Sequence, residues 1–223
     1  MADAQAREKI LGAFLTLLAE KRFERIELSE VAQLANVSLA DLRGEFGSTF
    51  DMIAAFMRET DKKVLSGAEP SKLDPELADQ SARDRLFEVL MRRFEALAPH
   101  REAVRSLYKS ARTNPRLAMG LNKLAVRSQQ WMLSSASVGS SGMIGGMRAQ
   151  ALAGFFAKAT QTWLDDEDPG LARTMASLDR QLATAERLAG FAKEMCRFIP
   201  RCAPRRARRD EAFPEDPNAP VAA

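Results

Sequence analysis

Side chains able to do covalent or metal chemistry are few in this chain of 223 residues, and they are poorly spaced for it. His100 is the only histidine. It follows Pro99 at a predicted helix start, the usual setting of a surface residue, and no Ser/His/Asp order accompanies it. Cys196 and Cys202 stand in a C-x5-C spacing with no histidine near them, which suits free thiols in a reducing compartment better than zinc ligands. The run Asp165-Asp166-Glu167-Asp168 reads as a charged loop before a helix N-terminus, where carboxylates complement the dipole. The segment GSSGMIGG (139–146) lacks the lysine of a phosphate-cradling loop. The sequence therefore predicts no enzyme, no cofactor and no metal site.

Charge is the remaining chemical resource, and it is unevenly placed. Arg201, Arg205, Arg206, Arg208 and Arg209 cluster near the C-terminus, ahead of Asp210, Glu211, Glu215 and Asp216. An apolar stripe of Leu188, Phe191, Met195, Phe198 and Ile199 precedes them. Stripe and Arg205–Arg209 tail together suit a dimer-interface helix with a solvated end, and also peripheral contact with an anionic membrane surface. Residues 24–51 carry two arginines against six acids, a net of −4, although the whole chain is formally +3. The N-terminus, MADAQAREKI, is too polar for a signal peptide, and no apolar run approaches the ~20 residues that span a bilayer. A cytoplasmic protein is expected.

The elements that must position these residues are all helical. Ile10, Leu11, Phe14, Leu17 and Leu18 give one apolar face to a helix over 5–21, with Lys21 and Arg22 in its last turn. Leu28, Val31, Ala32 and Ala35 predict a short helix over 28–35, facing inward. Asn36 suits a left-handed turn, and Ser38 caps a helix over 39–46. Ser48 or Thr49 caps another, over 49–66. Residues 67–82 read as a linker. Further helices are predicted over 83–98, 100–112, from Asn114-Pro115 to Leu133, from about 152 to Leu164, and from Asp168 or Pro169 through 199. Residues 134–146 read as a mobile Gly/Ser-rich loop, and 200–223 as a disordered Arg/Pro-rich tail. No run alternates with period two over strand lengths, so the fold class is all-α.

The string FERIELSEVAQLANVSLADLRGEF, with ILGAFLTLLAEKRF before it, resembles the DNA-binding headpiece of TetR-type transcriptional regulators. Phe23 takes the aromatic position; Leu28, Val31 and Ala32 match the second helix; Ala35, Asn36, Val37 and Ser38 match the turn; Leu42 and Phe46 match the anchors of the third helix. Ile26 stands where the family usually caps its second helix with Thr or Ser, and Gly47-Ser48-Thr49 replaces the usual Pro-Ser-Lys. The resemblance implies a headpiece over 1–66 and a ligand-binding and dimerisation bundle over 83–199. It puts Ser38, Leu39, Ala40, Asp41 and Arg43 on the DNA side, with Ser48 and Thr49 near the phosphates. Arg7 and Lys9 of the first helix are further cations on that side.

Residues 85–107, RLFEVLMRRFEALAPHREAVRSL, are also similar to the C-terminal domain of lipid-binding accessory proteins of ubiquinone biosynthesis, which share a TetR-like fold. Trp163-Leu-Asp-Asp and Leu178-Asp-Arg extend that likeness, whereas SSGMIGGMRAQ (140–150) replaces the group's aromatic-polar segment. Both resemblances imply an apolar cavity in the bundle. The candidate lining residues are Leu90, Phe94, Leu121, Leu124, Trp131, Leu152, Phe155 and Phe156, and the ligand is a hydrophobic small molecule or lipid. The function so implied is sequence-specific DNA binding by a homodimer under ligand control. The alternative is an isoprenoid-like lipid carrier with a vestigial headpiece.

Overall fold

The computed structural model describes the backbone of residues 2–67 and 81–198, and the side chains of 5–67 and 81–187. The regular elements among the described residues are all helices, with no strand among them. Met1–Glu186 form one compact unit, and Arg187–Ala223 a second, of which only helical backbone as far as Phe198 is described.

The first unit opens with α1 (Ala2–Glu20), which buries Ile10, Phe14 and Leu18 along one face. A 3-10 turn (Phe23–Arg25) leads to α2 (Leu28–Ala35), α3 (Leu39–Glu45) and α4 (Thr49–Ser66). The bundle continues with α5 (Ala82–Leu97), α6 (Arg101–Thr113), α7 (Pro115–Ser135), α8 (Gly142–Leu164) and α9 (Ala172–Phe198).

Short polar motifs start these helices. Ser38, Ser48 and Ser81 each accept from the N–H three residues on, and each serine hydroxyl donates in turn to the carboxylate of Asp41, Asp51 or Asp84. Asn114 Oδ1 accepts from Leu117 N–H at 3.0 Å, with Pro115 at the first helical position. Asn36 adopts φ 53°, ψ 49°, and Val37 N–H then reaches back to the Ala32 carbonyl at 3.0 Å, closing α2.

One hydrophobic core runs from Ile10 to Leu182, so headpiece and bundle are not separated by solvent. Polar ties join them too. Ser106 Oγ donates to the Lys21 carbonyl at 2.7 Å, and Phe23 N–H donates to Ser110 Oγ at 3.2 Å. Deeper, Asp61 of α4 accepts from Arg93 of α5 and from Ser128 Oγ of α7, at 2.7 Å for the latter. The Arg93 and Asp61 side chains are 4% and 12% exposed, so three helices meet at a desolvated ion pair.

Several expectations are corrected. Leu28 is 38% exposed rather than inward, because the apolar contacts of α2 come from Val31, Ala32 and Ala35. The cap of α2 is Glu27, whose N–H donates to Glu30 at 3.0 Å; Ile26 is buried instead. Lys21 and Arg22 fall beyond α1: Lys21 pairs with Glu30 at 2.5 Å, and Arg22 donates to Thr113 at 3.3 Å. The segment 134–146 is a loop only over 136–141. Gly142, Gly145 and Gly146 belong to α8, and a Cβ at Gly145 would lie 2.2 Å from the Ser140 carbonyl carbon, so the glycine lets the loop close onto the helix.

Helix α9 starts at Ala172, not at Asp168 or Pro169. Asp168 accepts from Gly170 and Ala172 N–H, and buried Asp166 accepts from Thr174 N–H at 2.8 Å and Thr174 Oγ1 at 2.7 Å. Burial pushes the Asp166 carboxyl up, but these bonds and Arg173 outweigh it and hold the group below its ordinary value. The preceding helix end is held from α6: Arg101 and Arg105 donate to the carbonyls of Trp163 and Leu164, the partners a helix C-terminus needs.

The expected linker meets α5 at Ser81, and its residues 68–80 lie outside the described ones. So do the side chains of Leu188, Phe191, Met195, Cys196 and Phe198, and all of 199–223 with Cys202 and the arginine cluster. Among the described residues no helix is long and apolar enough to cross a membrane.

Candidate nucleic-acid interface and ligand grooves

Buried anchors fix which face of α3 is presented. Leu42 and Phe46 are 2% and 3% exposed, packed in the core with Val31 and Ala32. The opposite face carries Ser38, Leu39, Ala40, Asp41 and Arg43, all exposed. Ser48 and Thr49 are half-buried at the start of α4. Of the seven residues expected on the DNA side, the five at the start of α3 are thus exposed, and the other two stand half-buried at the start of the next helix. Arg43 carries no hydrogen bond or ion pair among the described residues and is available to an outside acceptor.

The acid surplus over 24–51 has a structural explanation, since each of its six carboxylates has a partner inside the molecule. Asp41 and Asp51 serve the helix starts already described. Glu45 pairs with Arg7 at 3.4 Å, Glu30 with Lys21, Glu24 accepts from Asn114 at 3.3 Å, and Glu27 accepts from Ser29 at 3.3 Å. The Lys21 ammonium holds the Glu30 carboxyl below its ordinary value. Burial pushes Glu24 up, but its backbone bond and the Asn114 and Ser110 bonds outweigh that and lower it. Arg7 and Lys21 lie outside the window, so a count along the chain misses cations that folding brings in. Arg7 also stacks on the Phe46 ring at 4.4 Å, which commits it to the fold rather than to a phosphate. The Ser-x-x-Asp spacing at 38–41, 48–51 and 81–84 was the available signal that those acids cap helices.

The eight expected pocket residues do not converge. Leu90 and Phe94 are fully buried and Leu152 is 4% exposed. The Phe94 ring stacks on Phe156 at 4.8 Å and leans on Trp163 at 5.5 Å, so that part of the bundle is filled. Leu121 is half-buried on α7. Phe155 lines an open groove of about 760 Å³ between α8 and α9. Leu124 and Trp131 line a second, of about 550 Å³, between α4, α7 and the end of α3. Trp131 is 56% exposed, and sequence reasoning missed its neighbours there, Arg58 and Arg127. Among the described residues no group of His, Cys, Asp and Glu is placed to hold a metal ion.

Two short helices joined by a left-handed Asn36, the second presenting its N-terminal face outward, make a helix-turn-helix on a larger helical bundle. No protein-family model and no curated protein matches the sequence. Solved structures do match. A TetR transcriptional regulator from Nitrosomonas europaea ATCC 19718 aligns with TM-score 0.62 and 23% identity over 81% of this chain and 97% of its own. One from Rhodococcus sp. RHA1 aligns with TM-score 0.61 and 18% identity over 83% of this chain and 97% of its own. A tetR-family regulator from Streptomyces coelicolor gives 0.54 and 16% over 89% and 88%. The chain has the TetR fold.

Proposed function

We propose that this chain is a TetR-type transcriptional regulator that binds an operator through α3 as a homodimer, under the control of a small ligand with apolar character. The observation that carries the reading is the α2–α3 geometry. Asn36 and the buried pair Leu42 and Phe46 hold α3 so that Ser38, Leu39, Ala40, Asp41 and Arg43 face outward together. Arg43 is the free cation of that face, suited to a guanine edge or a phosphate. Ser48 and Thr49, at the N-terminus of α4, suit a phosphate contact. Two copies would place two α3 helices on successive half-sites. Met143, Ile144 and Met147 leave apolar side chains of α8 at 65–84% exposure, surface that a second copy would cover.

The test is binding of the full chain to DNA from its own upstream region, against scrambled duplex, at two salt concentrations. Specific binding that weakens with salt and is lost in Arg43→Ala supports the reading. Binding no better than to scrambled duplex at low salt removes it for that region. Co-purification of an isoprenoid or fatty lipid would then favour the alternative, a lipid carrier with a vestigial headpiece. With Arg7 and Lys21 counted in, the acids of residues 24–51 still leave a net negative charge, and that remaining charge favours the alternative.

A further inference from the structure

The groove between α4 and α7 is built from two facing stripes of matching period. On α4, Ala54, Met57, Arg58 and Asp61 stand at i, i+3, i+4 and i+7; on α7, Leu124, Arg127, Ser128 and Trp131 do the same. That is the spacing of one continuous helix face. Its volume of about 550 Å³ is in the range of small-molecule sites.

Charge decides what such a groove accepts. Three acids line it, and each is already engaged: Glu45 by Arg7, Asp51 by Ser48, and Asp61 by Arg93 and Ser128. Two of its cations, Arg58 and Arg127, have no hydrogen bond or ion pair among the described residues. Beside them lie an indole that is 56% exposed and the half-buried side chains of Met57 and Leu124. Two free guanidiniums beside an apolar wall are complementary to an anion with an apolar body. The engaged carboxylates nearby disfavour a second negative charge on that anion, by like-charge repulsion.

We propose that this groove binds a monoanionic amphipathic carboxylate, with Arg58 and Arg127 holding the carboxylate and Trp131, Met57 and Leu124 covering the apolar body. The site differs from the bundle interior, which Phe94, Phe156 and Trp163 fill. Its outer end is made by Phe46, Gly47 and Asp51, where α3 gives way to α4. An occupant therefore touches both the turn that ends α3 and bundle helix α7. The regulatory meaning of this contact rests on the regulator reading; the binding does not.

The experiment is calorimetric titration of the full chain with 2-naphthoate, 2-naphthalenemethanol and 2-naphthyl phosphate. These probes share an aromatic body and differ in charge. The expected result is saturable binding of 2-naphthoate, with the alcohol and the phosphate both weaker. Arg58→Gln and Arg127→Gln should each weaken 2-naphthoate by about tenfold, the loss of one charge-assisted hydrogen bond. Both residues are exposed, so folding is retained, and an unchanged melting temperature checks this. Trp131→Ala should weaken binding too, whereas Phe155→Ala, in the other groove, should not. The proposal is overturned by no saturable binding of 2-naphthoate at millimolar concentration, by equal or tighter binding of the alcohol or the phosphate, or by full affinity in either arginine variant. No DNA enters this titration, so its failure leaves the operator-binding reading to its own test.

Discussion

The ring of Phe50, in the first turn of α4, lies so close to Gly120 of α7 that a Cβ at position 120 would sit 2.8 Å from Cζ and 2.9 Å from Cε2. The missing side chain is therefore what lets the start of α4, next to Ser48 and Thr49, pack against the bundle. Two opposing effects follow for Gly120→Ala. Overpacking costs about 1–3 kcal/mol. Replacing a mid-helix glycine by alanine returns about 1 kcal/mol. In the native background the substitution should be neutral to destabilising. In a Phe50→Ala background, with the ring gone, it should be stabilising by about 1 kcal/mol. Urea denaturation of the four proteins of this cycle reads the sign change, and the same effect in both backgrounds would refute the contact.

The Asp61–Arg93 pair predicts asymmetric losses. Asp61→Ala leaves a guanidinium that is 3% exposed as a residue without its counter-ion, which should cost about 3–5 kcal/mol. Asp61→Leu with Arg93→Met removes both charges and should recover most of that loss. Thermal melts decide it; a double variant as unstable as Asp61→Ala would mean that packing, not charge, sets the cost.

His100 gives the fold a pH dependence. Its ring meets the Phe56 ring edge-on at 5.3 Å, and burial first, then nearby Lys63, holds its pKa below the ordinary 6.5. The unfolded chain therefore binds the proton more readily, and the stability present above pH 6.5 falls as pH drops through the lowered native value. His100→Gln should flatten the melting temperature across that window. Asp166, held below its ordinary 3.8, acts only at lower pH, where stability is lost as its carboxyl is protonated. A His100→Gln profile that parallels wild type between pH 7 and 5 would contradict the assignment.

The capping role of Asp41 makes its charge separable from its fold contribution. Asn at this position keeps a side-chain oxygen for Ser38 and loses the negative charge. If α3 faces DNA, Asp41→Asn should tighten binding about two- to fivefold at low salt, from roughly 0.5–1 kcal/mol of relieved repulsion. Arg43→Ala should loosen it and flatten the salt dependence by the equivalent of one phosphate contact. Filter binding or fluorescence anisotropy at several salt concentrations measures both.

Gly145→Ala brings a Cβ against backbone rather than a flexible side chain, 2.2 Å from the Ser140 carbonyl. It should cost about 1–3 kcal/mol or more despite better helix propensity. Hydrogen exchange at the first turn of α8 would show the loss locally, and unchanged protection there would exclude the close approach.

The sequence by itself determined that the chain is helical and how several of the helices begin. The Leu28–Ala35 and Leu39–Glu45 helices, the left-handed Asn36, the Ser38 and Ser48 caps and the Asn114-Pro115 start all follow from interactions a few residues apart, which local spacing records. The TetR-like headpiece was legible for the same reason. What only the tertiary structure decided are relations between residues distant along the chain. Arg7 beside Glu45 and Lys21 beside Glu30 answer an acid surplus that a window from 24 to 51 shows as unpaired. Phe94 against Phe156 and Trp163 turns expected pocket residues into filled core, because an apolar helix stripe reads alike whether it lines a cavity or packs. The glycine-rich stretch after Ser141 read as a loop because propensity is local; its place in α8 comes from Ala149, Leu152 and Ala153 being buried further along the same helix.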